Sequence, residues 1–208
     1  MNNLNITFWG GVGTVTGANF LLESDKTRLL VDCGLLQGTP EADEINRQSW
    51  PYDVKSVQYL FITHAHLDHI GRVCKLVRDG FRGTIYSTPE TMELAKVMLA
   101  DALKVMESNA QDTTRPHATP LYEIADLNTT FTLWKTIPYH VNTKIGDDFS
   151  VYLKDAGHIL GSSMYEFTHL PSCRLGEISC PLPGLGLKMK KARKIVFTGD
   201  SGNSPAPL

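Results

Sequence analysis

Apolar residues fall along this chain in two rhythms. In the first third they alternate, or form short blocks closed by glycine or a polar residue: "NITFWGG", "NFLLE", "RLLVDCG" and "VQYLFITH". Short blocks of strand-forming residues bounded this way predict β-strands. After His69 the spacing changes. Ile70, Val73, Leu76 and Val77 recur every three or four residues, which predicts an amphipathic helix stopping near Gly80. "GTIYST" predicts another strand, and Pro89 opens a long helix through "ETMELAKVMLADALKVMESNA". Its methionines, Met92, Met98 and Met106, read as core or groove filler. "LYEIADLNTTFTLW" reads as one more helix, and strands return at "KTIPYHV", "DFSVYLKD", "SMYEFTH" and "KIVFTGD". Prolines and glycines between Pro171 and Lys190 predict a long surface loop. No internal repeat is visible.

The 208 residues suffice for one α/β domain with a sizeable core, or for two small ones. A net charge of -2 gives no overall attraction to polyanions, so any nucleic-acid contact must come from a local patch. The one dense basic run is "KMKKARK", where Lys188, Lys190 and Lys191 are the candidate substrate-binding residues; a solvated loop is the commoner meaning of such a run. No apolar stretch approaches the roughly 20 residues that span a bilayer, and the N-terminus lacks the pattern of a signal peptide. No membrane partner is therefore expected, and the cytoplasm is the expected location. Cys33, Cys74, Cys173 and Cys180 form no CxxC pair and are expected as reduced thiols, the first two as small buried fillers. "GGVGTVTG" lacks a Walker A ending and reads as a tight hairpin passing close to the site described next.

That site begins at "THAHLDHIG", which packs three histidines and an aspartate into His64 to His69. Where a strand opens into a loop, side chains no longer alternate faces, so His64 and His66 can converge. Asp68 and His69 follow as a helix begins. Imidazole nitrogen and carboxylate oxygen without sulphur suit zinc, manganese or iron. Surface histidines capping a helix would explain Asp68 near a helix start, but not three rings in six residues. "DAGHILGSS" places His158 after a strand among small residues, and "IVFTGD" places Asp200 at a strand end, where a carboxylate can bridge two cations. Asp68 is read as both ligating a metal and orienting the attacking hydroxide. His117, His140 and His169 read as ordinary surface or strand residues.

"THAHLDHIG", with His158 and Asp200 following in order, resembles the HxHxDH signature of the metallo-β-lactamase superfamily. "GGVGTVTGANFLLE", "LLVDCGLLQG", "AGHILGSS" and "VFTGDSGN" resemble its β-CASP branch, in particular the RNA-processing members related to the cleavage and polyadenylation endonuclease. The resemblance implies a four-layer αββα sandwich, with two mixed sheets face to face and helices outside. It implies that His64, His66 and His158 hold one zinc, Asp68 and His69 a second, and that Asp200 bridges the two. Asp32 would support the ligands from behind, as a catalytic helper; a turn residue after a strand is its plainer alternative.

By the same resemblance, residues 1–208 would be the N-terminal part of the metallo-β-lactamase domain, without its closing portion or the β-CASP domain. The second zinc is then expected to be held more weakly, and an unfinished sheet edge to offer pairing with another copy or a complementary subunit. The implied activity is zinc-dependent hydrolysis of RNA phosphodiesters, endo- or exonucleolytic, impaired in this chain alone. Two alternatives stay open: hydrolysis of a small thioester or lactone, and a metal-binding subunit that needs a partner.

Overall fold

A computed structural model describes residues 4–111, 119–170 and 192–202. Among the described residues, ten strands form two sheets. The first contains β1 (Leu4–Gly10), β2 (Asn19–Ser24), β3 (Arg28–Val31), β4 (Tyr59–Phe61), β5 (Thr84–Ser87) and β6 (Trp134–Thr136), in that order across the sheet. β1, β2 and β3 are antiparallel neighbours, and β3 to β6 run parallel. The second sheet runs β10 (Arg193–Phe197), β9 (Ser163–His169), β8 (Phe149–Asp155), β7 (Asn142–Ile145), antiparallel throughout. Only the first sheet is therefore mixed, against the expectation of two. Short connections make β7, β8 and β9 successive antiparallel neighbours, because adjacent strands joined by short loops run in opposite directions, and β10 adds antiparallel to β9.

The strand sequences explain the layering. β4 is apolar at every position: Phe61 faces the second sheet, while Leu60 and the following Ile62 face the helices. A strand buried on both faces needs such an unbroken run. β8 and β9 alternate instead. Phe149, Val151, Leu153, Tyr165 and Phe167 point inward and are fully buried, and the residues between them are more exposed. Phe61 sits at the centre of the layer between the sheets, its ring 5.3 Å from Tyr86, 5.4 Å from Tyr165 and 4.9 Å from Phe167. Phe61→Ala is expected to cost about 3–5 kcal/mol of unfolding free energy, read from urea denaturation. A loss under about 1 kcal/mol would mean the sheets do not meet there.

Helices α2 (Leu67–Ile70), α3 (Val73–Arg78), α4 (Pro89–Gln111) and α5 (Ile124–Thr132) supply Ile70, Val73, Leu76, Leu99 and Leu127 to the cluster on the outer face of the first sheet. Among the described residues no helical side chain joins the cluster between the sheets. The single helix expected from His69 to Gly80 is two. At the break, Arg72 donates its backbone N–H to the Cys33 carbonyl instead of continuing the helical ladder. Gly71 there packs so tightly that a Cβ would lie 2.5 Å from the Leu35 side chain. A short helix at Ala42–Arg47, α1, and the polar edge strand β7 carry no periodic signal and were not foreseen. "KTIPYHV" contributes strand only up to Thr136. The Pro171–Lys190 loop lies outside the described residues. No helix among the described residues is long and apolar enough to cross a membrane.

Candidate metal centre

Parallel strands deliver their C-terminal ends to one edge of the sandwich, where open α/β sheets commonly present their chemistry. β3 ends into Asp32, and β4 ends into the segment Ile62 to His66, which leads into α2 carrying Asp68 and His69. The other sheet brings His158 in the turn between β8 and β9, and Asp200 just past β10. The Ser162 hydroxyl closes the His158 turn by accepting from the backbone N–H groups of His158 and Ile159 at 3.0 and 3.2 Å. The Gly202 N–H donates to the Ala156 carbonyl at 3.0 Å, which ties the Asp200 segment to that turn. Gly34 has a similar packing role: a Cβ there would overlap the Asp68 carbonyl oxygen at 1.5 Å.

Imidazoles from both sheets meet. His66 Nδ1 lies 3.1 Å from His64 Nε2 and 3.2 Å from His158 Nε2. Asp200 Oδ2 lies 3.6 Å from His158 Nε2 and 4.0 Å from His64 Nε2. Donor atoms of His64, His66, His158 and Asp200 all fall within 4.8 Å of one another, a cluster that could hold a metal ion. The second Asp200 oxygen, Oδ1, is 3.5 Å from His69 Nε2, which is itself 3.8 Å from Asp68 Oδ2. Asp68 and His69 thus adjoin the cluster on the other side of Asp200.

A buried hydrogen-bond network holds these rings from behind. Asp32, fully buried and in the left-handed region at φ +60°, accepts from the Thr63 N–H, the Thr63 hydroxyl and His69 Nδ1, each at 2.8 Å. Aspartate tolerates that backbone conformation better than most residues. With Nδ1 bonded to Asp32, His69 directs Nε2 toward Asp68 and Asp200. His64 Nδ1 faces the Thr63 hydroxyl oxygen at 3.1 Å, which leaves His64 Nε2 pointing into the cluster.

Electrostatics separates the two buried rings. Burial, reinforced by the neighbouring His69, His66 and His158, pushes His64 down to about 2, so it stays neutral with a free lone pair. Burial also pulls on His69, but the carboxylates of Asp32, Asp68 and Asp200 outweigh it and raise His69 to about 9. Three nitrogens and an oxygen converge there, a donor set that suits a borderline cation such as zinc.

Beside the cluster, a cleft of about 280 Å³ opens between the sheets, lined by Val15, Phe20, Asp32, His69, Phe197 and Asp200 among others. The "GGVGTVTG" turn runs along it. All six expected ligands, His64, His66, Asp68, His69, His158 and Asp200, lie at this edge, with Asp32 behind them. Lys188, Lys190 and Lys191 lie outside the described residues, as do His117, Cys173 and Cys180. Cys33 and Cys74 are buried, free thiols, and His169 is a buried β9 residue beside Asp148. Thr63 was missed in the sequence because nothing about a threonine before a histidine marks it from a strand residue.

The profile of the metallo-beta-lactamase superfamily domain matches residues 21–172. Ribonuclease TTHA0252 of Thermus thermophilus is 31% identical over 200 residues, covering 96% of this chain and 38% of that protein. Transcription termination factor FttA of Cenarchaeum symbiosum is 31% identical over 206 residues, covering 98% of this chain and 30% of its own length. This chain therefore spans about a third of these curated relatives. The crystal structure of BJP-1, a subclass B3 metallo-beta-lactamase of Bradyrhizobium japonicum, superimposes with a TM-score of 0.48 at 17% identity, over 95% of this chain and 59% of that one.

Proposed function

The chain belongs to the metallo-beta-lactamase superfamily, and from that premise we propose that it forms part of a zinc-dependent ribonuclease of the β-CASP type, working in the cytoplasm. His64, His66 and His158 are assigned to one zinc, Asp68 and His69 to a second, and Asp200 to both. One observation carries this reading: Asp200 turns one oxygen toward His158 and His64 and the other toward His69. Tetrahedral zinc with ligands at about 2.0–2.1 Å needs donor atoms about 3.3 Å apart. Within the cluster the His66 nitrogen lies 3.1 and 3.2 Å from those of His64 and His158, near that requirement, and Asp200 stands 3.6 and 4.0 Å from His158 and His64, within reach of a shared ion.

When bound, a cation pair acidifies a water to near neutral pH and screens the charge of a phosphodiester. The protein's own groups do the positioning. Asp68, at the start of α2 and 19% exposed, reaches the open side and accepts a hydrogen bond from the attacking water, which fixes its approach. Asp32 and Thr63 hold the imidazole tautomers. The cleft beside His69 admits substrate next to the cluster. The names of the relatives support RNA as substrate, and the activity is proposed for the whole protein. A second copy or a complementary subunit is proposed to pair with it through a sheet edge.

The test incubates the zinc-loaded protein with single-stranded RNA, matched DNA, bis-p-nitrophenyl phosphate and a thioester. RNA cleavage that stops on chelation and returns with Zn²⁺ is expected. Thioester turnover without cleavage of RNA would overturn the substrate assignment. Asp68→Asn is expected to lower the rate by about 10²-fold or more, the scale of a positioned proton acceptor. Full activity at full metal content would remove Asp68 from that role.

A further inference from the structure

Thr63 touches every segment that delivers a residue to the metal centre. Its side chain and N–H reach Asp32 after β3, and its hydroxyl lies 3.1 Å from His64 Nδ1. Its carbonyl accepts from the Ser163 N–H at 2.9 Å, just after the His158 turn. Gly199, the residue before Asp200, lies so close that a Cβ there would sit 2.7 Å from Thr63 Cβ. Thr63 is 1% exposed, so water cannot replace these partners.

We infer that Thr63 is a positioning residue of the metal centre, its hydroxyl linking His64 to Asp32 and fixing the tautomer that aims His64 Nε2 at the cation. The proton count permits one arrangement. The Asp32 carboxylate has no proton to give, so the Thr63 O–H donates to it and the Thr63 oxygen is left with lone pairs only. That oxygen accepts from His64 Nδ1–H, and His64 Nε2 carries the lone pair. Asp32 sets His69 directly through Nδ1, but it reaches His64 only through Thr63. Without the hydroxyl, a proton on His64 Nδ1 has no acceptor in this buried place, and the tautomer with the proton on Nε2 gains ground. That tautomer points hydrogen at the cation.

The inference rests on the ligand set proposed above, and its test reads metal binding without catalysis. Zinc affinity of the full chain is measured by competition with a chromophoric chelator for the unaltered protein, Thr63→Val, Thr63→Ala and Thr63→Ser. Valine keeps the branched shape against Gly199 and deletes the hydroxyl; alanine deletes it with less bulk, which guards against a misfolded valine variant; serine keeps it. Loss of a hydrogen-bond partner behind a metal ligand commonly weakens binding about 10–100-fold. That loss is expected in Thr63→Val and Thr63→Ala, with Thr63→Ser within about threefold of the unaltered chain. Equal affinity in the hydroxyl-free variants, or a serine variant as weak as alanine, would overturn the inference. An unaltered chain that binds no zinc would instead overturn the ligand set.

Discussion

Asp200→Ala is expected to lower RNA turnover by about a thousandfold or more and to strip metal from both sides of the cluster. The carboxylate stands between His158 and His64 on one side and His69 on the other, at 3.6, 4.0 and 3.5 Å. Metal ions commonly supply several kcal/mol of transition-state stabilisation, and each 1.36 kcal/mol is about tenfold in rate, so losing both reaches about 10³. Asp200 is about half exposed and the smallest of the three carboxylate influences on His69, with Asp32 and Asp68 remaining after its removal. The metal-free variant should therefore unfold close to the denaturant concentration of the metal-free parent. Elemental analysis of metal per chain, read beside turnover, checks both halves. A variant retaining two metals and full activity would remove Asp200 from the site.

Asp32→Asn should act on the fold and the metal together. The Asp32 carboxylate receives three donors at 2.8 Å, two of them at Oδ2. Asparagine keeps the shape and tolerates φ +60°, but its NH₂ group must face at least one of those donors. It also removes the negative charge beside the buried His69 imidazole, whose proton that charge helps to hold. Breaking a buried ionic pair from one side commonly costs about 3–5 kcal/mol. A loss of that size is expected in urea unfolding of the metal-free chain, with zinc affinity lowered about 10–100-fold. A neutral substitution would show that the network behind His64 and His69 is dispensable. The effect should exceed that of Thr63→Val, because Asp32 carries the charge and bonds His69 at 2.8 Å, whereas the neutral Thr63 hydroxyl lies 3.1 Å from His64 and 3.4 Å from His69.

The gathering of His64, His66, His158 and Asp200 was legible in the sequence because its chemistry is dense. Three imidazoles between His64 and His69 have no ordinary structural reason, and His158 and Asp200 each follow a readable strand. The strands of the first sheet were equally plain, since "RLLV" and "YLF" are apolar on both faces. What escaped depends on contacts distant in sequence. The break at Gly71 and Arg72 is set by Cys33 and Leu35, far along the chain, while the local apolar spacing runs straight through it. β7 reads "NTKI", a polar edge strand specified by its pairing with β8 and by no periodicity of its own. Thr63 gains its role only when β3, the His158 turn and the Asp200 segment close around it. Asp32 stood in between: a resemblance suggested its position, and its three buried donors give the physical reason.

Anomalous diffraction at the zinc edge, from crystals grown with Zn²⁺, tests most directly whether both sheets grip the same ion. A peak within about 2.0–2.2 Å of donor atoms from His64, His66, His158 and Asp200 together is expected. A peak held by His64 and His66 alone, with His158 or Asp200 turned away, would contradict it.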